Sequence, residues 1–176
     1  MVETVCYRVG QFFRALTARV PEEEIEQAIH MLTPEARALF RRQATQDQRH
    51  ALAVYHTLRQ AGHVHPQLLA AALLHDAGKA AARLTPWQRA VIVLVERFAP
   101  RLLIHLSRGE PQGWHRAWVI HARHPEMGAR QAQEAGCSPL TSALIRRHQD
   151  RLATGSSFTA EEDQLLAALQ AADNLN

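Results

Sequence analysis

Proline opens one expected helix after another in this chain, and glycine closes them. That punctuation limits the possible folds more than any other feature. Thr33-Pro34-Glu35 reads as an N-cap, a proline at the first helical position and an acid in the first turn. Pro21 precedes Glu22-Glu23-Glu24, an acidic first turn suited to the helix dipole. Asp47 is placed as the cap of a helix through His50 to Gln60, with His50 in its first turn and Gly62 as its stop. Pro66 opens a helix over 67–75 that ends near Gly78, and Thr85-Pro86 opens one that breaks at Pro100. A short helix over 101–106, a loop over 109–113 and a helix over 114–122 follow. Pro125-Glu126 is read as the start of a separate helix that stops at Gly136, and Ser138-Pro139 as the start of one running to about Asp150. Residues 154–157 read as a polar loop, and Thr159 with Glu162 as a capping box for the last helix. No segment alternates at the period of a strand. The fold class expected is all-α: a helical bundle over residues 46–176, with residues 1–45 as an N-terminal helical cover.

At 176 residues and 47% hydrophobic, the chain has the size of one domain with a real core. Cys6 and Cys137 form no CxxC pair, so no disulfide framework is expected, and no signal peptide is evident. The most apolar window, 90–106, is interrupted by Glu96, Arg97, Pro100, Arg101 and His105, too often to span a bilayer. A cytoplasmic protein without a membrane partner is expected. The formal net charge is +3 and the arginines are scattered apart from Arg41-Arg42 and Arg146-Arg147. Specific nucleic-acid binding is not expected, although such a surface can draw small anions towards a cleft.

The chemistry-bearing residues centre on Leu73-Leu74-His75-Asp76-Ala77-Gly78-Lys79. Lys79 is the only lysine among 20 basic residues. An ammonium is a compact charge suited to phosphate and acid/base chemistry; the plain alternative is one lysine surviving an arginine-biased composition. Eleven histidines in one small domain also raise the prospect of a metal site. His50, His75, His124, His148 and Asp173 fall near the ends of expected helices, spaced so that 75 − 50 = 25, 148 − 124 = 24 and 173 − 148 = 25. Each spacing is about one helix plus one turn, which brings such positions to one depth of an antiparallel bundle. Adjacent residues on a helix point about 100° apart. His75 and Asp76 therefore share one centre only if the helix ends there, as Gly78 allows.

On these residues the chain resembles the HD-domain superfamily of metal-dependent phosphohydrolases. The matching pattern is the early His50, the pair His75-Asp76 with Gly78 and Lys79, and the late Asp173 in Ala171-Ala172-Asp173, over residues 45–176. His124-Pro125-Glu126-Met127-Gly128-Ala129 and Ile145-Arg146-Arg147-His148-Gln149-Asp150 look like the segments that supply further histidines in binuclear members. The six-residue set is similar to bacterial diadenosine tetraphosphate hydrolases and to the HD-GYP phosphodiesterases. The Gly-Tyr-Pro segment of the latter is absent after His124, which argues against a cyclic dinucleotide, and Gln149 departs from the pattern for a third metal.

The resemblance implies a first metal on His50, His75, Asp76 and Asp173. A second would be held by His124 and His148, with Asp76 bridging. One or two divalent ions are implied, iron or manganese ahead of zinc, nickel or magnesium. The implied function is hydrolysis of a phosphate ester or anhydride of a nucleotide or small phosphorylated metabolite by a hydroxide generated at the metals. Asp76 and Lys79 are the catalytic candidates. The alternative is a non-catalytic signalling or ligand-binding module that retains its metal. His121, three residues before His124, is a candidate ligand, ligand support or substrate contact. Arg146 and Arg147 are candidate phosphate contacts, although cations late in a helix more often just complement its dipole. The loops after Gly62 and over 108–114 are expected to shape the substrate pocket. His56, His63, His65 and His105 are assigned to the core or the surface. Trp114 and Trp118, spaced by four, are read as helix packing, with His115 as a residue that can line the cleft.

Overall fold

The computed structural model describes residues 20–82, 85–150 and 159–176. Cys6 and the loop expected over 154–157 lie outside the described residues. Among those described the chain is all-helical. In order come α1 (Glu22–Ile29), α2 (Pro34–Arg41), α3 (Thr45–Gln60), α4 (Pro66–Leu74) and a 3-10 turn over Ala77–Ala81. There follow α5 (Pro86–Phe98), α6 (Pro100–Leu106), a 3-10 turn over Gly113–His115, α7 (Arg116–Glu134), α8 (Pro139–Arg147) and α9 (Ala160–Leu175).

Three of the expected N-terminal caps form as side-chain bonds. Thr33 Oγ1 accepts from the Ala36 amide at 3.1 Å and donates to the Ala135 carbonyl at 2.7 Å, so one side chain starts α2 and ties it to the end of α7. Ser138 caps α8, and Thr159 with Glu162 closes a capping box on α9. Gly136 ends α7 at φ +78, in the left-handed region open to glycine.

The core is organised by α4. Its sequence is apolar all round after Gln67, and Leu68 to Leu74 are all buried, as a helix with no polar face must be. It packs against α2, α3, α8 and α9. Burying each of its leucines contributes about 2 kcal/mol, so the end of α4 is held firmly in place. That end carries His75 and Asp76.

Two expectations are corrected. Asp47 is not the cap of α3: the helix begins at Thr45 after Ala44, Asp47 is a buried residue of its first turn, and His50 falls in the second turn. Pro125 does not open a helix, because α7 runs unbroken from Arg116 to Glu134 with Pro125 inside it. The reason lies in packing. Val119, Ile120, His124, Gly128, Ala129 and Ala132 are buried along α7 on both sides of the proline, and that continuous contact outweighs the cost of one missing N–H.

Candidate metal centre

The bundle brings six expected residues together. His50 comes from α3, His75 and Asp76 from the end of α4, His124 from mid-α7, His148 from the end of α8 and Asp173 from the last turns of α9. His50, His75 and Asp76 form one group able to hold a metal ion, and Asp76, His124 and His148 form a second. Asp76 belongs to both. Its Oδ2 lies 3.6 Å from His75 Nε2, whereas its Oδ1 lies 3.2 Å from His124 Nε2 and 3.9 Å from His148 Nε2. The two carboxylate oxygens thus face opposite groups. Asp173 Oδ1 joins the first, 2.8 Å from His50 Nε2 and 3.5 Å from His75 Nε2.

The break in α4 makes this possible. His75 keeps helical backbone angles, but Asp76 turns to φ −98, ψ 4 and starts the 3-10 turn. Neighbouring side chains then converge where a continuous helix would splay them. Gly78 lets that turn lie against α7: a Cβ there would stand 2.2 Å from the His124 carbonyl oxygen.

Three histidines are oriented in the same way. Nδ1 of His75 donates to the Ala72 carbonyl at 2.9 Å, that of His124 to His121 at 2.5 Å, and that of His148 to Ile145 at 2.7 Å. Each carbonyl lies three residues earlier. His75 and His148 follow the last residues of α4 and α8, where helices leave carbonyls without amide partners. His124 is mid-helix, yet Pro125 has no N–H to offer the His121 carbonyl, so the imidazole takes it. With Nδ1 protonated, each Nε2 points inward with its lone pair, the form a metal needs. The buried Nε2 atoms of His75 and His124 have no hydrogen-bond partner, a costly state for polar atoms unless a cation satisfies them. Imidazole nitrogens and carboxylate oxygens converging in this way fit a divalent transition metal.

Electrostatics keep the carboxylates charged. Burial alone would raise the pKa of Asp76, but His75, Lys79 and His124 outweigh it and hold the carboxyl well below its usual range. Asp173 is likewise held low, as the hydrogen bond from His50 and the nearby His75 imidazole overcome its burial. His148 is pushed down to about 4 by burial and then by the charge of His75. His75 moves up, since Asp76 and Asp173 together outweigh its burial. Lys79 Nζ donates to Asp76 Oδ2 at 2.6 Å, so the single lysine is tied to the shared carboxylate.

An open cleft of ≈ 410 Å³ adjoins the centre, lined by His148 and Asp173 together with Glu96, Gln149, Asp150, Gln170 and Asn174. No protein-family profile, curated protein or solved structure matches the chain.

The other candidate residues divide. His121 is largely buried beside the centre, its ring 5.9 Å from that of His124, and its Nε2 lies 3.3 Å from Glu96 Oε2. Burial pulls its pKa down, partly offset by Glu96. Arg146 is turned outward and pairs with Glu126 at 2.6 Å. Arg147 pairs with Asp150 at 3.4 Å and Asp163 at 3.9 Å. Neither arginine is among the residues lining the cleft, and each is held in ion pairs. The loops after Gly62 and over 108–114 do not line it either. Trp114 is exposed in a 3-10 turn, stacked on His115, and so is not the helix-packing residue expected. His115 donates to or accepts nothing from the centre; its Nδ1 faces the Leu106 carbonyl at 3.2 Å. Sequence reasoning missed Glu96, which it counted only as a charge interrupting an apolar window. A lone carboxylate in such a window is the signal that could have found it.

Proposed function

We propose that this chain is a metal-dependent phosphohydrolase acting on a phosphate ester or anhydride of a nucleotide or small phosphorylated metabolite. The observation that carries the reading is Asp76, one buried carboxylate shared by two histidine-containing groups. The motif resemblance to the HD-domain superfamily supports the same reading. Two divalent ions bound there would supply Lewis acidity and an activated water. The ligand set suits iron, manganese, zinc or nickel better than magnesium, which prefers oxygen donors.

The remaining work falls to side chains in place. Asp76 and Asp173 provide fixed negative charge facing the imidazoles. Lys79 spends one N–H on Asp76 and is a quarter exposed, so its other donors can meet a phosphate oxygen or a leaving oxygen. His121, held by Glu96, can keep or release a proton at Nε2 beside the same centre. Positioning and charge neutralisation are the main requirements of phosphoryl transfer.

The test is phosphate release with added manganese or iron(II). Substrates would include nucleoside mono-, di- and triphosphates, diadenosine tetraphosphate and an aryl phosphate, with Asp76→Ala as control. Turnover by the wild type alone is expected. Bound metal without turnover on any substrate would favour a non-catalytic metal-containing module. An Asp76→Ala protein that kept both metals and full turnover would overturn the site.

A further inference from the structure

Helix α5 carries an apolar stripe on its exposed side. Trp87, Val91, Leu94 and Phe98 recur at i, i+4, i+7 and i+11, one narrow stripe of a helix. All four are exposed, Trp87 at 66% and Phe98 at 79%. Glu96 stands nine residues from Trp87, roughly 180° around the helix, and turns to His121 and the cleft. Ile92 is buried. The helix therefore anchors through buried Ile92 and the contact of Glu96 with His121, and leaves its apolar stripe outward. α6 follows with no buried residue and with Leu102 and Ile104 also exposed.

The charges around this surface have one sign. Apart from Glu96, residues 94–108 carry three arginines, Arg97, Arg101 and Arg108, and no other carboxylate. The Glu96 carboxylate is turned to His121. Arg97, Arg101 and Arg108 are exposed, and the Arg97 guanidinium lies 6.0 Å from the Phe98 ring centroid, at the edge of the stripe. Apolar side chains that include tryptophan and phenylalanine, rimmed by arginine, match a helix lying in the plane of a lipid interface. Among the described residues no helix is long and apolar enough to cross a membrane, so the contact is to a surface. A second copy seated on the same face would set these arginines against their own equivalents.

We propose that the outer face of α5 and α6 docks the protein on an anionic lipid surface, its apolar stripe entering the interface and its arginines meeting the headgroups. The experiment is co-sedimentation of the full chain with vesicles of phosphatidylcholine alone and of phosphatidylcholine mixed with phosphatidylglycerol. Binding to the mixed vesicles only is expected, weakening as salt rises. Phe98→Glu and Leu94→Glu should each abolish it, with helical content and bound metal unchanged. Arg97→Gln should weaken it roughly fivefold. Wild type that stays in the supernatant with the anionic vesicles would overturn the proposal. So would binding that survives both glutamate substitutions. A dimer seen by sedimentation velocity and dissolved by Phe98→Glu, without vesicle binding, would assign the face to a second copy instead.

Discussion

Nδ1 of His124 lies 2.5 Å from the carbonyl oxygen of His121, the one carbonyl of α7 that Pro125 leaves without an amide. A residue usually read as a helix breaker thus fixes the tautomer and direction of a buried imidazole. Pro125→Ala would restore an N–H that competes for that carbonyl. Metal affinity, measured by titration calorimetry, should fall about tenfold or more, as when other partners of metal-binding histidines are removed. The thermal stability of the metal-free protein should hold or rise, because proline costs a helix interior about 3 kcal/mol. Unchanged affinity would show that Pro125 has no part in orienting His124.

Asp76 and Asp173 should differ in what their loss removes. Asp76 serves both groups, Asp173 only the one with His50 and His75. Asp76→Ala should abolish stable metal binding altogether. Asp173→Ala should leave the His124 and His148 side able to retain an ion. Metal content by mass spectrometry, after dialysis against a weak chelator, separates the two. Equal loss in both variants would argue against two groups sharing one carboxylate.

Gly78→Ala tests the seam between the 3-10 turn and α7. The added Cβ would stand 2.2 Å from the His124 carbonyl oxygen and 2.9 Å from the Gly128 nitrogen, both backbone atoms that cannot swing aside. A loss of about 3 kcal/mol is expected, at the upper end of overpacking effects. Denaturant unfolding would measure it. A loss below about 0.5 kcal/mol would mean that the turn and α7 separate easily.

The metal-free protein should be most stable near pH 6.5. His148 is pushed down to about 4 when folded, from an ordinary value of 6.5. Between those values the unfolded chain binds more protons, so stability falls as pH drops through the window, by a few kcal/mol at most. His75 is shifted upward. Its contribution is complete below 6.5 and is lost as pH rises through its folded value. Asp173 is held low, so its contribution is present above 3.8 and fades as pH falls below it. Thermal melts from pH 5 to 8 should show the maximum, and His148→Gln should flatten the acid limb. An acid limb unchanged in that variant would place the titration elsewhere.

Much of this was legible because it is local. Thr33-Pro34, Thr85-Pro86, Ser138-Pro139 and the box of Thr159 with Glu162 act within a turn, and each opens a helix. The run from Leu68 to Leu74 has no polar face, and the structure buries it. The spacing of His50, His75-Asp76, His124, His148 and Asp173 placed them at like depths, and they converge. Pro125 misled because its local cost is fixed, whereas the buried contacts that carry α7 through it come from α8 and the 3-10 turn.

Sequence by itself determined the helices, most of their ends and the residues able to gather around a metal, since propensity, capping and side-chain chemistry belong to short segments. Tertiary structure alone decided that Asp76 offers one oxygen to each group and that Pro125 releases a carbonyl for His124. It also decided that Arg146 pairs with Glu126 and Arg147 with Asp150 and Asp163, and that Glu96 meets His121 while Trp87, Leu94 and Phe98 face out. These depend on where helices distant in sequence pack, and only the assembled core fixes those distances.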